Sequence, residues 1–411
     1  MNAREYALNI LYQVITDHGY ASLLMRKLPD DMPKQEKAMV SELVYGTLRN
    51  RSLLEHQWEG FAGQKTNTRT AVLLDMSVYQ MFLMDRIPAY AAINEAVALA
   101  GKKDGSFVNA VLHRALDQGI KYCEDPDPLV RASVNLSHPL WVLKLWKAHY
   151  GEETALRLAE YDQTKSKVYG RLNTLKCRKE DLDPQRYHFV NDVSFLYDGV
   201  ITDTDEFRSG SVLIQDRSSA MIPQWLQAEA GMDVLDVCAA PGTKTQQIAM
   251  YMENQGQITA CDLYEHRLAL VERLMKLTGT KIVQTAVRDG TDADSRPALN
   301  RFDRILIDAP CSGLGDLRHK PEIRWHLKPE DIDALCGTQS ALLETNYPCL
   351  KPGGKLVYST CTLHRKENEG LIKRFLAAHP DAVLEEEHTY LPFEEDSDGF
   401  YVCRITRKGV C

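Results

Sequence analysis

Two cysteines stand where a thiol can do chemistry: Cys311 in DAPCSG, residues 308–313, and Cys361 in KLVYSTCT, residues 355–362. A cysteine taken alone is more often a small buried filler than a reagent, and a disulfide is disfavoured in a reducing compartment. Position changes the weighting. Both stretches follow apolar strand-like runs, FDRILIDAP and GGKLVYST, so both thiols fall at the carboxyl ends of strands. Carbon 5 of a pyrimidine is a poor nucleophile. A thiolate added to carbon 6 makes it enamine-like and able to attack an electrophilic methyl group, and loss of the carbon-5 proton then expels the thiol. One cysteine must add and leave, a second can assist release, and a carboxyl beside the ring can hydrogen-bond or protonate nitrogen 3 as charge develops. Asp308, shortly before Cys311, is placed for that role.

Positioning such groups requires a sheet. From about Gln215 the pattern alternates strand and helix: a strand over 234–237 runs into CAAPGTKT and a helix, then GQITACD, KIVQTAVRD, FDRILIDAP and GGKLVYST follow with helical stretches between them. That alternation predicts a mostly parallel, doubly wound α/β sheet with ligands at the carboxyl ends of its strands. The loop after the first strand has one glycine, Gly242, which excludes a dinucleotide fingerprint, and Thr243 separates Gly242 from Lys244, which excludes a P-loop. Asp262, Asp289 and Asp308 end the next three strands. A small-residue loop followed by acids at three strand ends suits an adenosine-containing cofactor without pyrophosphate, and S-adenosylmethionine fits.

The chain of 411 residues is too long for one hydrophobic core. Three parts are expected: a helical domain over 1–130, a connector with helices and short strands over 131–214, and the α/β domain over 215–411. In the first, Leu8, Leu11, Tyr12 and Ile15 share one helical face, and similar stripes recur to about residue 120, with Ser106 placed to cap the helix SFVNAVLHRAL. Such a bundle is a scaffold or a binding module. The start, MNAREYALNI, is charged where a signal peptide is apolar, and no apolar run reaches the roughly 18 residues of a membrane span, so a cytoplasmic protein without membrane contact is expected. Ten cysteines without a C-x-x-C pair indicate reduced thiols and no metal site. The net charge of −8 equals the eight acids of residues 381–398, a segment without Lys or Arg. The rest is neutral, so any RNA surface must be a local patch.

Taken together, DVCAAPGTKT, ACD, VRDG, DAPCSGLGDLRHKPEIRW, YSTCT and DGFYVCRI resemble the RNA cytosine-5 methyltransferases of the Sun/Fmu type. AAINEAVALA and FVNAVLHRAL resemble the NusB-like RNA-binding domain that this branch carries at its amino terminus. The resemblance implies a Rossmann-like, S-adenosylmethionine-dependent methyltransferase domain preceded by an all-α domain. Its implied product is 5-methylcytosine in 16S rRNA, free or in an early small-subunit precursor, and a monomer is the simplest expectation. It makes Cys361 the nucleophile and Cys311 the aid to product release, with Asp308 between cofactor and base. It places the cofactor on Cys238, Ala239, Ala240, Pro241, Gly242, Thr243 and Lys244, its ribose on Asp262 and its adenine near Asp289. Thr243 stands where the family usually has a second glycine, a change expected to be tolerated. Arg318, Lys320 and Arg324 are expected to meet RNA phosphates, although the family's usual Arg-Arg-His-Pro is here Arg318, His319, Lys320 and Pro321. A tRNA-directed enzyme keeps the chemistry and changes the substrate. A non-catalytic RNA-binding assembly factor has no need of Cys361.

Overall fold

The computed structural model describes residues 2–63 and 66–409, so Cys411 lies outside it. The chain divides into two compact units: the residues up to Thr164 together with Leu317–Leu327, and Lys165–Asp316 together with the residues from Lys328 onward. The connector expected over 131–214 is shared between them, its helical half joining the first unit and its strands the second.

The first unit is helical, with Ala3–Asp17, Lys34–Ala62, Thr68–Leu83 and Ala89–Gln118 as its long elements and Pro128–Asn135, Leu140–Tyr150 and Glu152–Tyr161 following. Three of these helix starts are capped by side chains. Asn2 accepts from the Glu5 N–H, Asn67 from that of Thr70 and Asp127 from that of Leu129, just ahead of a proline in the first turn. Leu8 and Leu11 of the predicted stripe are fully buried, worth about 1.5–3 kcal/mol each. Ser106 is not a cap: Ala89–Gln118 runs through it, and the break falls at Gly101, whose φ of 69° is one glycine adopts without strain. Gly46 lets two long helices close on each other, since a Cβ there would sit 2.0 Å from the Tyr79 ring. Among the described residues no helix is long and apolar enough to cross a membrane.

The second unit holds two sheets. The strands β1 (Tyr169–Leu172), β2 (Tyr187–Phe189), β3 (Ser194–Tyr197) and β4 (Val212–Ile214) form an antiparallel sheet of order β2-β3-β1-β4. The main sheet comprises β5 (Asp233–Asp236), β6 (Gln257–Asp262), β7 (Val283–Val287), β8 (Phe302–Asp308), β9 (Leu350–Thr360), β10 (Ala382–Tyr390) and β11 (Phe400–Arg407), in the order β10-β11-β9-β8-β5-β6-β7. The pairs joining β5 to β9 are parallel, and β11 and β10 add antiparallel strands at one edge. This is the predicted doubly wound sheet. Its order reverses at β5, with β8 on one side and β6 on the other, and such a switch point opens a crevice at the strands' carboxyl ends.

A buried polar network joins the two sheets of this unit. Arg171 on β1 is fully buried; its guanidinium donates to Gln215 Oε1 at 2.6 Å, to Gln246 Oε1 and, at 3.4 Å, to the Thr243 carbonyl. Asn173 donates to the carbonyls of Gly210 and Thr278 and accepts from Gln246. The acidic segment forms the edge strand β10 and, after it, the short helix Pro392–Glu395. Glu385 and Glu386 pair with Arg404 of β11, Glu395 with Arg217, and Asp396 with Lys167. Charge on an edge strand also blocks pairing with another chain.

Candidate active site

The loop after β5 opens the site. Gly242 has a φ of 103°, and a Cβ on it would press 3.2 Å from the Cα of Val271, so both backbone and space call for glycine. The helix Thr243–Tyr251 begins at the next residue. Thr243 therefore has ordinary helical backbone, which threonine adopts without the strain that would call for a second glycine.

Asp236, Cys238, Ala239, Ala240, Pro241, Thr243, Lys244 and Asp308 line one recess at this end of the sheet. Asp236 accepts from Thr245 Oγ1 at 2.7 Å, but its buried Oδ1 meets no partner among the described residues. Burial lifts its carboxyl to about 7. Burial also pushes the Cys238 thiol far above its ordinary range, so Cys238 lines the recess as a neutral group.

Asp262, at the end of β6, is buried and accepts from Arg267 Nη1 at 3.1 Å and from the N–H groups of Ala240 and Tyr264. Asp289 is exposed after β7, and hydrogen bonds from the Thr291 hydroxyl and N–H hold its carboxyl below the usual range. Leu263, Tyr264 and Val287, beside these acids at adjacent strand ends, are exposed apolar side chains. A glycine-cradled loop, an orphaned buried oxygen, acids at successive strand ends and an apolar rim fit an adenosine cofactor with a cationic end.

The two thiols meet on the other side of the crevice. Strands β8 and β9 are parallel with Asp308 opposite Ser359, so short extensions past each strand bring Cys311 and Cys361 together, with Sγ atoms 3.3 Å apart. The hydrogen bond to Cys361, reinforced by burial, holds the Cys311 thiol well above the usual range. Asp308 accepts from Lys244 Nζ and from Ser359 Oγ, each at 2.8 Å. Lys244 lies over the ring of Phe400, 5.2 Å from its centroid.

That last contact gives a role to residues whose sequence pattern alone suggests none. In DGF, residues 398–400, Phe400 flanks Lys244, and Gly399 lies against the thiol loop. The Gly399 N–H donates to the Gly315 carbonyl at 2.8 Å, while the Gly315 N–H donates to the Cys361 carbonyl at 3.0 Å. A Cβ on Gly315 would stand 2.1 Å from the Gly399 oxygen. The signal is the paired glycines of SGLGD and DGF, and it shows only once the strands are aligned.

The expectation for Arg318 and Arg324 needs correction. Both are 2 % exposed and lie within the helical unit, to which Leu317–Leu327 belongs. Arg324 donates to the carbonyls of Arg49 at 3.0 Å, Ser137 at 3.2 Å and Asp162 at 3.4 Å. Burial lowers its guanidinium to about 10, still charged at neutral pH. Arg318 donates to Tyr161 Oη at 2.7 Å and stacks over that ring. These side chains satisfy buried carbonyls and a phenol, and do not face phosphate. Lys320 is exposed.

A doubly wound sheet with such a recess and a pair of rim thiols defines an S-adenosylmethionine-dependent methyltransferase. Comparison with known proteins gives the family. Residues 223–406 match the model for the 16S rRNA methyltransferase RsmB/F family, and residues 1–117 match the NusB family. The "Probable ribosomal RNA small subunit methyltransferase B" of Bacillus subtilis (strain 168) is 33% identical, covering 99% of this chain and 99% of that protein. The one of the same name from Synechocystis sp. is 30% identical over 99% of this chain and 100% of its own. Among solved structures, that of PH0851 matches with a TM-score of 0.80 and 23% identity over 98% of this chain and 99% of that one, a likeness of fold. The chain belongs to the RsmB/F methyltransferase family, with a NusB-family domain ahead of the catalytic one.

Proposed function

We propose that this enzyme methylates carbon 5 of one cytosine in small-subunit ribosomal RNA through a transient covalent bond between Cys361 and carbon 6 of the base. The observation that carries the reading is the 3.3 Å approach of the two sulfur atoms at the strand ends that also present Asp308. A methyl transfer to a nitrogen or to a ribose hydroxyl has no use for a thiol pair. The B. subtilis and Synechocystis relatives are named for the small-subunit rRNA, which supports the substrate.

The resemblance to the RNA cytosine-5 methyltransferases makes Cys361 the attacking sulfur. The hydrogen bond to Cys361 and burial hold the Cys311 thiol well above the usual range, which supports Cys311 as the partner that aids release. Addition of Cys361 to carbon 6 moves an electron pair toward carbon 5 and nitrogen 3, and a proton carried by the Asp308 carboxyl to nitrogen 3 neutralises the charge that develops there. S-adenosylmethionine, when bound on Cys238 to Lys244 with Asp262 and Asp289, supplies the electrophilic methyl group. After transfer a base removes the carbon-5 proton, the carbon 6–sulfur bond breaks, and Cys311 assists the departure of Cys361. The target base is reached unpaired or flipped out of its helix. Lys320 remains a proposed phosphate contact.

The test is bisulfite sequencing of rRNA and tRNA from cells with and without the gene. Loss of one protected cytosine in 16S rRNA supports the reading. Loss of a tRNA site alone would move the substrate to tRNA, and loss of neither would remove the proposal.

A further inference from the structure

Glu367, in the charged run HRKENEG, reads in sequence as one more solvated side chain. It is 0 % exposed. Its Oε2 accepts from the Ser312 N–H and from Gln339 Nε2, both at 2.9 Å; its Oε1 accepts from Ser312 Oγ at 2.5 Å and from Thr362 Oγ1 at 3.4 Å. All four groups, from three residues, can donate, which suits an ionised carboxylate. Burial raises its carboxyl above the usual range, and these hydrogen bonds offset only part of that rise.

The donors are the immediate neighbours of the two thiols. Ser312 follows Cys311 and Thr362 follows Cys361, and their hydroxyls also meet at 2.7 Å. The outer flanks are held by the same cluster. Gln339 donates to the Pro310 carbonyl at 2.9 Å, so both neighbours of Cys311 are tied. Asn368 accepts from Thr360 Oγ1 at 2.6 Å and donates to the Thr362 carbonyl at 2.9 Å, so both neighbours of Cys361 are tied. The two loops come from different strands, and Glu367 is the group bound to both.

We propose that Glu367 is a positioning residue whose carboxylate clamps the Cys311 loop to the Cys361 loop and so sets the separation of the thiols; this rests on the covalent reading above. A buried carboxylate is a costly way to fill space, since an apolar side chain of similar volume commonly does as well. What it adds is directional: hydrogen bonds from the Ser312 N–H and hydroxyl and from Gln339, with the Thr362 hydroxyl shared between Glu367 and Ser312, fix two loops to a few tenths of an ångström, the tolerance that catalytic groups demand. Adduct formation needs Cys361 alone. Release needs both sulfurs in register while Cys361 is held on the base. Loosening the clamp therefore slows the second half of the cycle more than the first.

The experiment follows purified full-length enzyme with 16S rRNA and S-adenosylmethionine, measuring methyl transfer, denaturation-resistant enzyme–RNA adduct, cofactor binding and melting temperature. In Glu367→Gln an amide NH2 replaces one oxygen that accepts from Ser312, Gln339 or Thr362, so at least one of those hydrogen bonds is lost or must reverse. The expected result is a drop of about 100-fold in multiple turnover, with adduct accumulating although both thiols are present and with cofactor binding retained. Ser312→Ala, which removes one donor and leaves the carboxylate in place, gives the same pattern more weakly and decides the matter if the glutamine variant does not fold. Wild-type turnover without adduct in both variants overturns the proposal. So does a loss spread evenly over cofactor binding, melting temperature and every step, which marks a structural role only. Cys361→Ala and Cys311→Ala run alongside: methylation by Cys361→Ala defeats the covalent reading itself, whereas normal behaviour of those two with a silent Glu367 defeats the clamp alone.

Discussion

Cys311 and Cys361 are brought within 3.3 Å by strand register: β8 and β9 run parallel with Asp308 opposite Ser359, and each thiol lies just past its own strand. Two sulfurs so placed divide the work. Replacing Cys361 by Ala is expected to abolish methyl transfer and leave no adduct. Replacing Cys311 by Ala is expected to leave attack intact and trap enzyme on RNA. Denaturing gel electrophoresis with labelled RNA distinguishes them. Free methylated RNA at the normal rate from Cys311→Ala would reverse the assigned roles.

Lys244 holds Asp308 at 2.8 Å from the other side of the crevice, with both side chains largely shielded. Hydrogen bonds between charged groups in such settings contribute roughly 1.5–3 kcal/mol. Lys244→Met is therefore expected to lower kcat/KM on the order of 10- to 100-fold, measured by transfer of labelled methyl to rRNA. Phe400→Leu keeps the ion pair and removes only the ring beneath the ammonium, so its loss should be several-fold.

Gly315 and Gly399 touch backbone to backbone, and neither loop can retreat, because Gly315 also donates to the Cys361 carbonyl. Gly315→Ala places a methyl 2.1 Å from the Gly399 oxygen. The expected outcome is displacement of the thiol loop, with activity falling about 100-fold or more while far-ultraviolet circular dichroism stays near wild type. Undiminished turnover would show that this contact does not position the thiols.

Legibility in the sequence separates by range. The parallel sheet is legible because strand and helix periods alternate locally, and the rim thiols because each follows an apolar run. Arg324 reads as a solvated phosphate ligand because arginine type argues for the surface, while the carbonyls of Arg49, Ser137 and Asp162 that satisfy it are distant in the chain. Glu367 is hidden for the same reason: its donors Ser312 and Gln339 come from other elements. The acidic segment looks like an isolated charge run because its partners Arg404 and Arg217 lie on another strand and on a helix. Ser106 resembles a helix cap because the break at Gly101 leaves only one glycine as its trace.

The helical unit carries two buried groups whose titrations oppose each other. His138 is buried against Asp162 and near Arg324, and desolvation lowers it from 6.5 to about 4. The unfolded chain thus binds the extra proton between about 4 and 6.5, so this residue makes stability rise with pH across that window. Asp75, bonded to Trp58 Nε1 at 2.7 Å, is raised by burial from 3.8 to about 7. There the folded state holds the extra proton, and stability falls as pH rises from 3.8 to about 7. Each is worth about 3–4 kcal/mol across its range. His138→Gln should unmask a decline with rising pH and Asp75→Asn an increase, read by urea titrations between about pH 4 and 7. Identical slopes in wild type and both variants would contradict these assignments.

Arg324 anchors Leu317–Leu327 within the helical unit, and its three carbonyl acceptors come from one long helix and from two turns that follow shorter helices of that unit. Trp325 adds an indole N–H to the Leu48 carbonyl at 2.8 Å, and Glu322 accepts from the Ala21 N–H. Removing the guanidinium takes this donor from the Ser137 and Asp162 carbonyls, while the Arg49 carbonyl keeps Gln163 Nε2 at 3.2 Å, and breaking a buried charged network costs roughly 3–5 kcal/mol. Arg324→Met should therefore lower the melting temperature of the full-length protein sharply. Arg324→Lys, with a point charge in place of a planar fork, should recover only part of it. Had Arg324 served to bind phosphate, the same variants would keep their stability and lose RNA affinity with a shallower salt dependence. Calorimetry and filter binding at two salt concentrations separate the two outcomes, and the burial of this arginine argues for the loss of stability.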